Sequence, residues 1–106
     1  MPVPDPSFPS PADVDRVVHE PARLVLLAHL AVLEAADFTF LLRATGLTKG
    51  NLSSHMSKLE AAGYLRVQKE FLEGRPHTLL SITDAGREAL GRYRAELSRL
   101  LNGIPE

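Results

Sequence analysis

Residues 41–82 read LLRATGLTKGNLSSHMSKLEAAGYLRVQKEFLEGRPHTLLSI, and their punctuation decides the fold. Leu41 to Ala44 is a helical stub closed by Gly46, which suits a left-handed helix C-cap. Thr48 then reads as the N-cap of a new helix, with Asn51 three residues on. Leu52, Met56 and Leu59 fall on one face at i, i+4 and i+7, and Ala62-Gly63 stops the run. From Tyr64 the period changes to two: Leu65, Val67 and Phe71 share one side, Arg66, Gln68 and Glu70 the other. Glu73-Gly74-Arg75-Pro76 is turn material, and Leu80 and Ile82 alternate on the return, so a hairpin is expected with a tip of several residues, Leu72 to Pro76. A short helix joined through Gly46-Leu47-Thr48 to a longer one is a helix-turn-helix pattern. A hairpin directly behind it serves as a wing.

Outward from this centre the signals weaken. Residues 1–12, MPVPDPSFPSPA, hold five of the eight prolines and are expected to form a flexible tail. Ser10-Pro11-Ala12-Asp13 has the form of a helix start, interrupted at Pro21, which suits the first turn of a second helix. From Ala22 to Ala36 only Arg23, His29 and Glu34 are not apolar. Such a helix is expected to be covered on more than one side, by its own core and by a second subunit. Asp37-Phe38-Thr39-Phe40 fits either a short strand or a cap. Thr83-Asp84 caps a last helix that runs to about Leu101. In it Leu90, Tyr93, Leu97 and Leu100 recur at spacings of 3, 4 and 3, an a/d seam of the kind two helices share. The expected fold is mainly α with a small β-hairpin (α+β), a winged helix-turn-helix over residues 13–106 whose terminal helix, about 83–101, dimerises. Leu26, Leu90, Tyr93, Leu97 and Leu100 are the expected interface.

The composition narrows the function. The chain has 106 residues, one domain's worth, with a formal charge of −1. The charge is uneven: residues 43–77 carry six basic residues against three acidic, a net +3, whereas residues 1–42 carry −4. A basic middle is the electrostatic footprint of a phosphate backbone partner. There is no cysteine, which removes disulfides, thiolate nucleophiles and cysteine-based metal sites and suits a cytoplasmic location. The four histidines fall on separate elements without metal-ligand spacing, and no phosphate loop or nucleophile elbow occurs, so neither an enzyme nor a metal or other cofactor is expected. The longest apolar run, Leu24 to Leu33, is too short to span a bilayer, so no membrane partner is expected.

Double-stranded DNA is the partner these residues suit. Lys49, Asn51, Ser53, Ser54 and Lys58 give the third helix a face of short or flexible hydrogen-bonding side chains, fit for close approach in a major groove. Thr48 and the helix start suit a phosphate. His55 lies one step off the apolar face and fits either a DNA contact or a half-buried structural role. Arg75 at the wing tip reaches a phosphate or a narrow minor groove, with His77 beside it. The alternative function is a winged helix used only for docking to another protein.

The stretch from Ser53 to Leu65, SSHMSKLEAAGYL, resembles the S-x-H-L-x-x-L-x-x-A-G-L-V signature of ArsR-like repressors. Residues 17–24, VVHEPARL, and 82–87, ITDAGR, are similar to small winged-helix regulators of the MarR and ArsR families, and the likeness spans about residues 14–101. The resemblance implies a homodimeric transcriptional repressor on a pseudo-palindromic operator. Metal sensing by members of the ArsR family usually uses cysteines, which this chain lacks. With one domain given to DNA and dimerisation, a small-molecule effector has room only at the dimer interface.

Overall fold

Glu20 and Pro21 start the first long helix, α1 (Pro21–Leu33), much as the sequence suggests. Proline needs no hydrogen-bond partner at the first helical position, and the Glu20 carboxylate accepts from the Ala22 and Arg23 N–H groups at 3.2 and 2.8 Å. The computed structural model describes residues 10–106, so most of the expected tail lies outside the described residues. The helix expected from Ser10 shrinks to one 3-10 turn, Pro11–Asp13, whose Asp13 carboxylate accepts from the Ser10 N–H at 2.8 Å. Helix cannot propagate further because Asp15 Oδ1 takes the N–H groups of Val17 and Val18, at 2.8 and 3.2 Å, into a local turn.

Asp37 resolves the alternative of strand or cap by serving as both. It ends the short strand β1 (Ala35–Asp37), and its Oδ1 accepts from the Phe40 N–H at 2.6 Å to cap α2 (Phe38–Thr45). Gly46 then takes the left-handed conformation, φ 70°, and its N–H closes on the Leu42 carbonyl. Thr48 Oγ1 accepts from the Asn51 N–H at 3.1 Å and starts α3 (Lys49–Ala61). Strands β2 (Leu65–Leu72) and β3 (Arg75–Ile82) form the hairpin. Its tip is shorter than expected. Only Glu73 and Gly74 lie outside the strands, both at positive φ (52° and 76°), the signature of a two-residue turn whose twist matches the strands. Arg75 and Pro76 therefore belong to β3. The sheet order is β1-β3-β2, all antiparallel, and β1 reaches only Leu79, Leu80 and Ser81. Beyond them the wing is a two-stranded ribbon.

The last helix, α4 (Asp84–Asn102), is capped by Thr83, whose Oγ1 accepts from the Gly86 N–H at 3.0 Å and donates to the Gly63 carbonyl at 2.6 Å. Gly86 is buried against the Tyr64 backbone. The core comprises Val18, Leu26, Leu27, Leu30, Leu41, Leu52, Leu59, Leu65, Leu80, Ala89 and Tyr93. Each fully buried leucine contributes about 1.5–3 kcal/mol relative to exposure. Two residues expected at a dimer seam are corrected here: Leu26 is fully buried and Tyr93 only 6% exposed, because both pack inward, with the Tyr93 hydroxyl hydrogen-bonded to His19 Nδ1 at 2.8 Å. Leu90 packs on the same core. The outer side of α1 stays open, with Val32 83% exposed, so within one chain this apolar helix is covered on one side only.

Tyr64 ties the N-terminal segment to the α3–β2 junction by donating to Asp15 Oδ2 at 2.6 Å. Burial opposes the Asp15 charge, but the Tyr64 hydroxyl, the Val18 and Val17 N–H groups and nearby Arg92 together hold its carboxyl below the usual range. The Glu20 carboxyl is also lowered: burial again opposes, and the Arg23 and Ala22 N–H groups, His55 and Arg23 outweigh it. A carboxyl whose pKa falls on folding stabilises the protein above its unfolded-state pKa, and that stability is lost as pH drops through the folded-state value. Tyr64→Phe removes one of the groups that lower Asp15, so its acid-unfolding transition, followed by circular dichroism, is expected at higher pH than wild type.

Candidate nucleic-acid interface

Helix α3 turns Leu52 and Leu59 fully inward and half-buries Met56. At about 100° per residue the opposite face is thereby fixed. Lys49, Asn51, Ser53, Ser54 and Lys58 are all exposed: Ser54 and Lys58 lie on that face, Asn51 and Ser53 on its two flanks, and Lys49 at the helix start on the side of Met56. Among the described residues no carboxylate lies within ion-pair distance of Lys49, Lys58 or Arg75, so these cations are available to an external anion. Thr48 is exposed, with its hydroxyl committed to the cap.

Two further residues lie on this face: Gly50, which the sequence reading passed over, and Ser57, for which that reading favours a plain surface serine. Gly50 and Ser57 are both exposed, and Ser57 stands nearly opposite Leu52 and Leu59. The signal was present: taking the direction opposite the mean of the buried leucines points at Gly50, Ser54, Ser57 and Ala61. A Cβ built at Gly50 meets nothing within 4 Å, so internal packing does not require glycine there. A missing side chain on an outward face permits close approach of another backbone.

The two histidines are placed elsewhere. His55, its side chain 19% exposed, lies 3.5 Å from the Glu20 carboxylate, and its Nδ1 is 3.3 Å from Arg23 Nη1. Arg23 also donates from Nε to the Val17 carbonyl at 2.6 Å and from Nη2 to the Arg16 carbonyl at 3.3 Å. The structural alternative for His55 is therefore the one the geometry favours: it fastens α3 to the start of α1 and turns away from the exposed face of Ser54 and Lys58. His77 lies three residues beyond the turn Glu73-Gly74, with Nε2 3.8 Å from Asp37 Oδ2. It sits beside the β1–α2 corner and away from the wing tip. Arg75 is exposed directly after the turn, opposite Leu72.

The α4 seam divides into two parts. Leu90, Tyr93 and Leu97 pack on the chain's own core, whereas Leu100 is half-buried and Leu101 and Ile104 are 54% and 57% exposed. Pro11, Val14, His19, Tyr93, Leu97 and Leu100 line a cleft of about 250 Å³ between the N-terminal segment and α4. No helix among the described residues is long and apolar enough to cross a membrane.

Comparison with known proteins gives this geometry a family. Residues 22–101 match the family model of the winged helix DNA-binding domain. An uncharacterised protein of Methanocaldococcus jannaschii is 35% identical over 89 residues, covering 84% of this chain and 97% of its own length. The solved structure of a transcriptional regulator homologue from Pyrococcus horikoshii OT3 superposes with a TM-score of 0.81 at 30% identity, over 87% of this chain and 91% of that one. The PcaV transcriptional regulator of Streptomyces coelicolor, solved with its natural ligand, shares the fold at a TM-score of 0.69 and 23% identity, over 86% of this chain and 63% of that one. Regulators of the MarR and ArsR families are among the structural neighbours. The helix-turn-helix, the hairpin behind it and the outward polar face of α3 thus have one common explanation: the chain belongs to the winged-helix DNA-binding domain family, a family of transcriptional regulators and not of enzymes.

Proposed function

We propose that the protein is a homodimeric, sequence-specific repressor that lays α3 in the major groove of double-stranded DNA and sets the wing on the adjacent backbone or minor groove. The observation that carries this reading is the exposed surface of α3 bearing Asn51, Ser53, Ser54 and Lys58, with Lys49 at its start, which holds no ion pair among the described residues and is backed by the fully buried Leu52 and Leu59. Short polar side chains on a rigid helix suit base edges, and unpaired cations at its margin suit phosphates. The uncovered apolar end of α4 supports a second copy, which would present two recognition helices to the two halves of a palindrome, about 34 Å apart. A small-molecule effector, if the protein has one, fits the cleft between the N-terminal segment and α4, beside that interface. A module used only for docking to other proteins has no need of such a face and would not hold random duplex at low salt.

Substitutions on the two parts of the site are expected to separate affinity from specificity. Lys58→Ala and Arg75→Ala weaken binding to all duplexes and each flattens the salt dependence by about one unit of slope per lost phosphate contact. Asn51→Ala relaxes the preference at particular base pairs by roughly 1–3 kcal/mol. Fluorescence anisotropy across a salt series, with duplexes selected from a random library, checks both. Wild-type affinity and selectivity in all three variants would remove α3 and the wing from the interface.

A further inference from the structure

The wing ends in an apolar tip that the core does not use. Phe71 is 75% exposed and Leu72 51% exposed, immediately before the two-residue turn. Pro76, also exposed, is the cross-strand partner of Phe71, so ring stands beside ring on one face of the ribbon. Along that face the pairs Leu65–Ile82 and Val67–Leu80 belong to the core or pack against it. The pair Lys69–Thr78 follows, and Phe71–Pro76 lies outermost. β1 does not reach this far, so nothing in the chain's own sheet flanks the tip on the β3 side. Lys69 stands next to the apolar pair on the same face, and Arg75 lies with Leu72 and Glu70 on the other; neither cation has an ion-pair partner among the described residues.

We propose that Phe71, backed by Pro76 and Leu72, is an apolar wedge that enters the DNA minor groove and partly unstacks a base step, so that the protein bends its site and selects it by deformability. This rests on the DNA-binding reading above and specifies how the wing takes part in it. Charge complementarity names the occupant: on the face of Phe71 the neighbouring charge is Lys69, Glu70 lies on the opposite face with Arg75, Glu73 lies in the turn, and the segment 43–77 as a whole carries net +3. A stable protein interface needs about 800 Å² from each partner, far more than the tip of a two-stranded ribbon offers. The minor groove is only about 6 Å wide, too narrow for a helix, and apolar side chains including phenylalanine and proline are what architectural proteins insert there. Pyrimidine–purine steps yield most easily, so such a step is expected beneath the wing.

The test selects duplexes from a random library at low salt with wild type, Phe71→Ser and Phe71→Lys in parallel, then reads bending of the selected duplexes by end-to-end energy transfer. Wild type is expected to enrich TA or CA steps at a fixed distance from the major-groove positions and to bend the DNA by tens of degrees. Phe71→Ser is expected to lose that enrichment and the bend and to bind about tenfold more weakly, the scale of a base stacked on an aromatic ring, with its melting temperature unchanged. Phe71→Lys is expected to steepen the salt dependence without restoring the bend. Equal bending by Phe71→Ser and wild type overturns the wedge and leaves the DNA-binding reading intact. A shift of Phe71→Ser to a smaller sedimenting species also overturns it, by assigning the tip to a second copy. Failure of wild type to retain any duplex overturns both.

Discussion

Gly86→Ala is expected to cost about 3 kcal/mol or more of folding stability, the upper end of what overpacking a core exacts. The added methyl would collide with the Tyr64 carbonyl oxygen and lie 3.0 Å from Ile82 Cγ1. A flexible side chain could swing aside, but Tyr64 O is backbone and already accepts the Thr83 N–H at 3.1 Å. Thr83 is in turn fixed by its bonds to Gly63 and Gly86. Relief would require α4 to lift from the α3–β2 junction and to surrender its cap. Gly91 supplies the control within the same helix. A Cβ there meets nothing within 4 Å, so Gly91→Ala is expected to stabilise the protein by up to about 1 kcal/mol through helix propensity alone. Chemical denaturation of both variants beside wild type measures the contrast; a Gly86→Ala protein as stable as wild type would contradict the close packing of Gly86 on Tyr64.

Leu101→Glu is expected to leave the monomer folded, to dissociate the proposed homodimer and to weaken binding to the proposed palindromic site by about 10²–10⁴-fold, the advantage that a second linked site confers. Leu101 is 54% exposed within one chain, so a charge there disturbs little of the protomer's own core. Leu97, Leu100, Leu101 and Ile104 fall on one side at helical spacing, and the later members lie beyond the reach of the core that covers Leu90 and Tyr93. A carboxylate buried in that stripe without a partner is strongly unfavourable. Sedimentation velocity reads the association state, and binding to whole and half sites reads the coupling. A wild-type monomer at micromolar concentration would refute the dimer, and a dimeric Leu101→Glu would move it to another surface.

The legibility of this fold follows from where the information resides. Gly46, Thr48, Thr83 and Pro21 act on backbone groups within four residues of themselves, so their caps could be read from the chain alone. The inward leucines of α3 were equally legible, because helical period and burial coincide. The failures involve competition or distant partners. The Ser10–Asp13 start looked helical, but Asp15 diverts the N–H groups of Val17 and Val18. The wing tip looked long because Glu73 adopts a positive φ that its residue type does not advertise. His55 and His77 sat near the proposed DNA face in sequence, yet their partners, Glu20 and Asp37, are more than thirty residues away. Leu26 and Tyr93 matched an interface pattern, and an a/d spacing does not state whether the opposite surface belongs to the same chain.

The three-stranded root and two-stranded end of the sheet make the wing a cantilever. Its base, where Leu79, Leu80 and Ser81 are held between two neighbours, is clamped by hydrogen bonds on both sides. From Thr78 outward the bending stiffness falls, since one ladder alone resists flexure. The tip is therefore expected to flex more readily than α3, which is held in the packed body. On the proposed DNA site, adjustment to groove width would be concentrated in a few residue pairs, and its entropic cost would fall on the arm and not on the core.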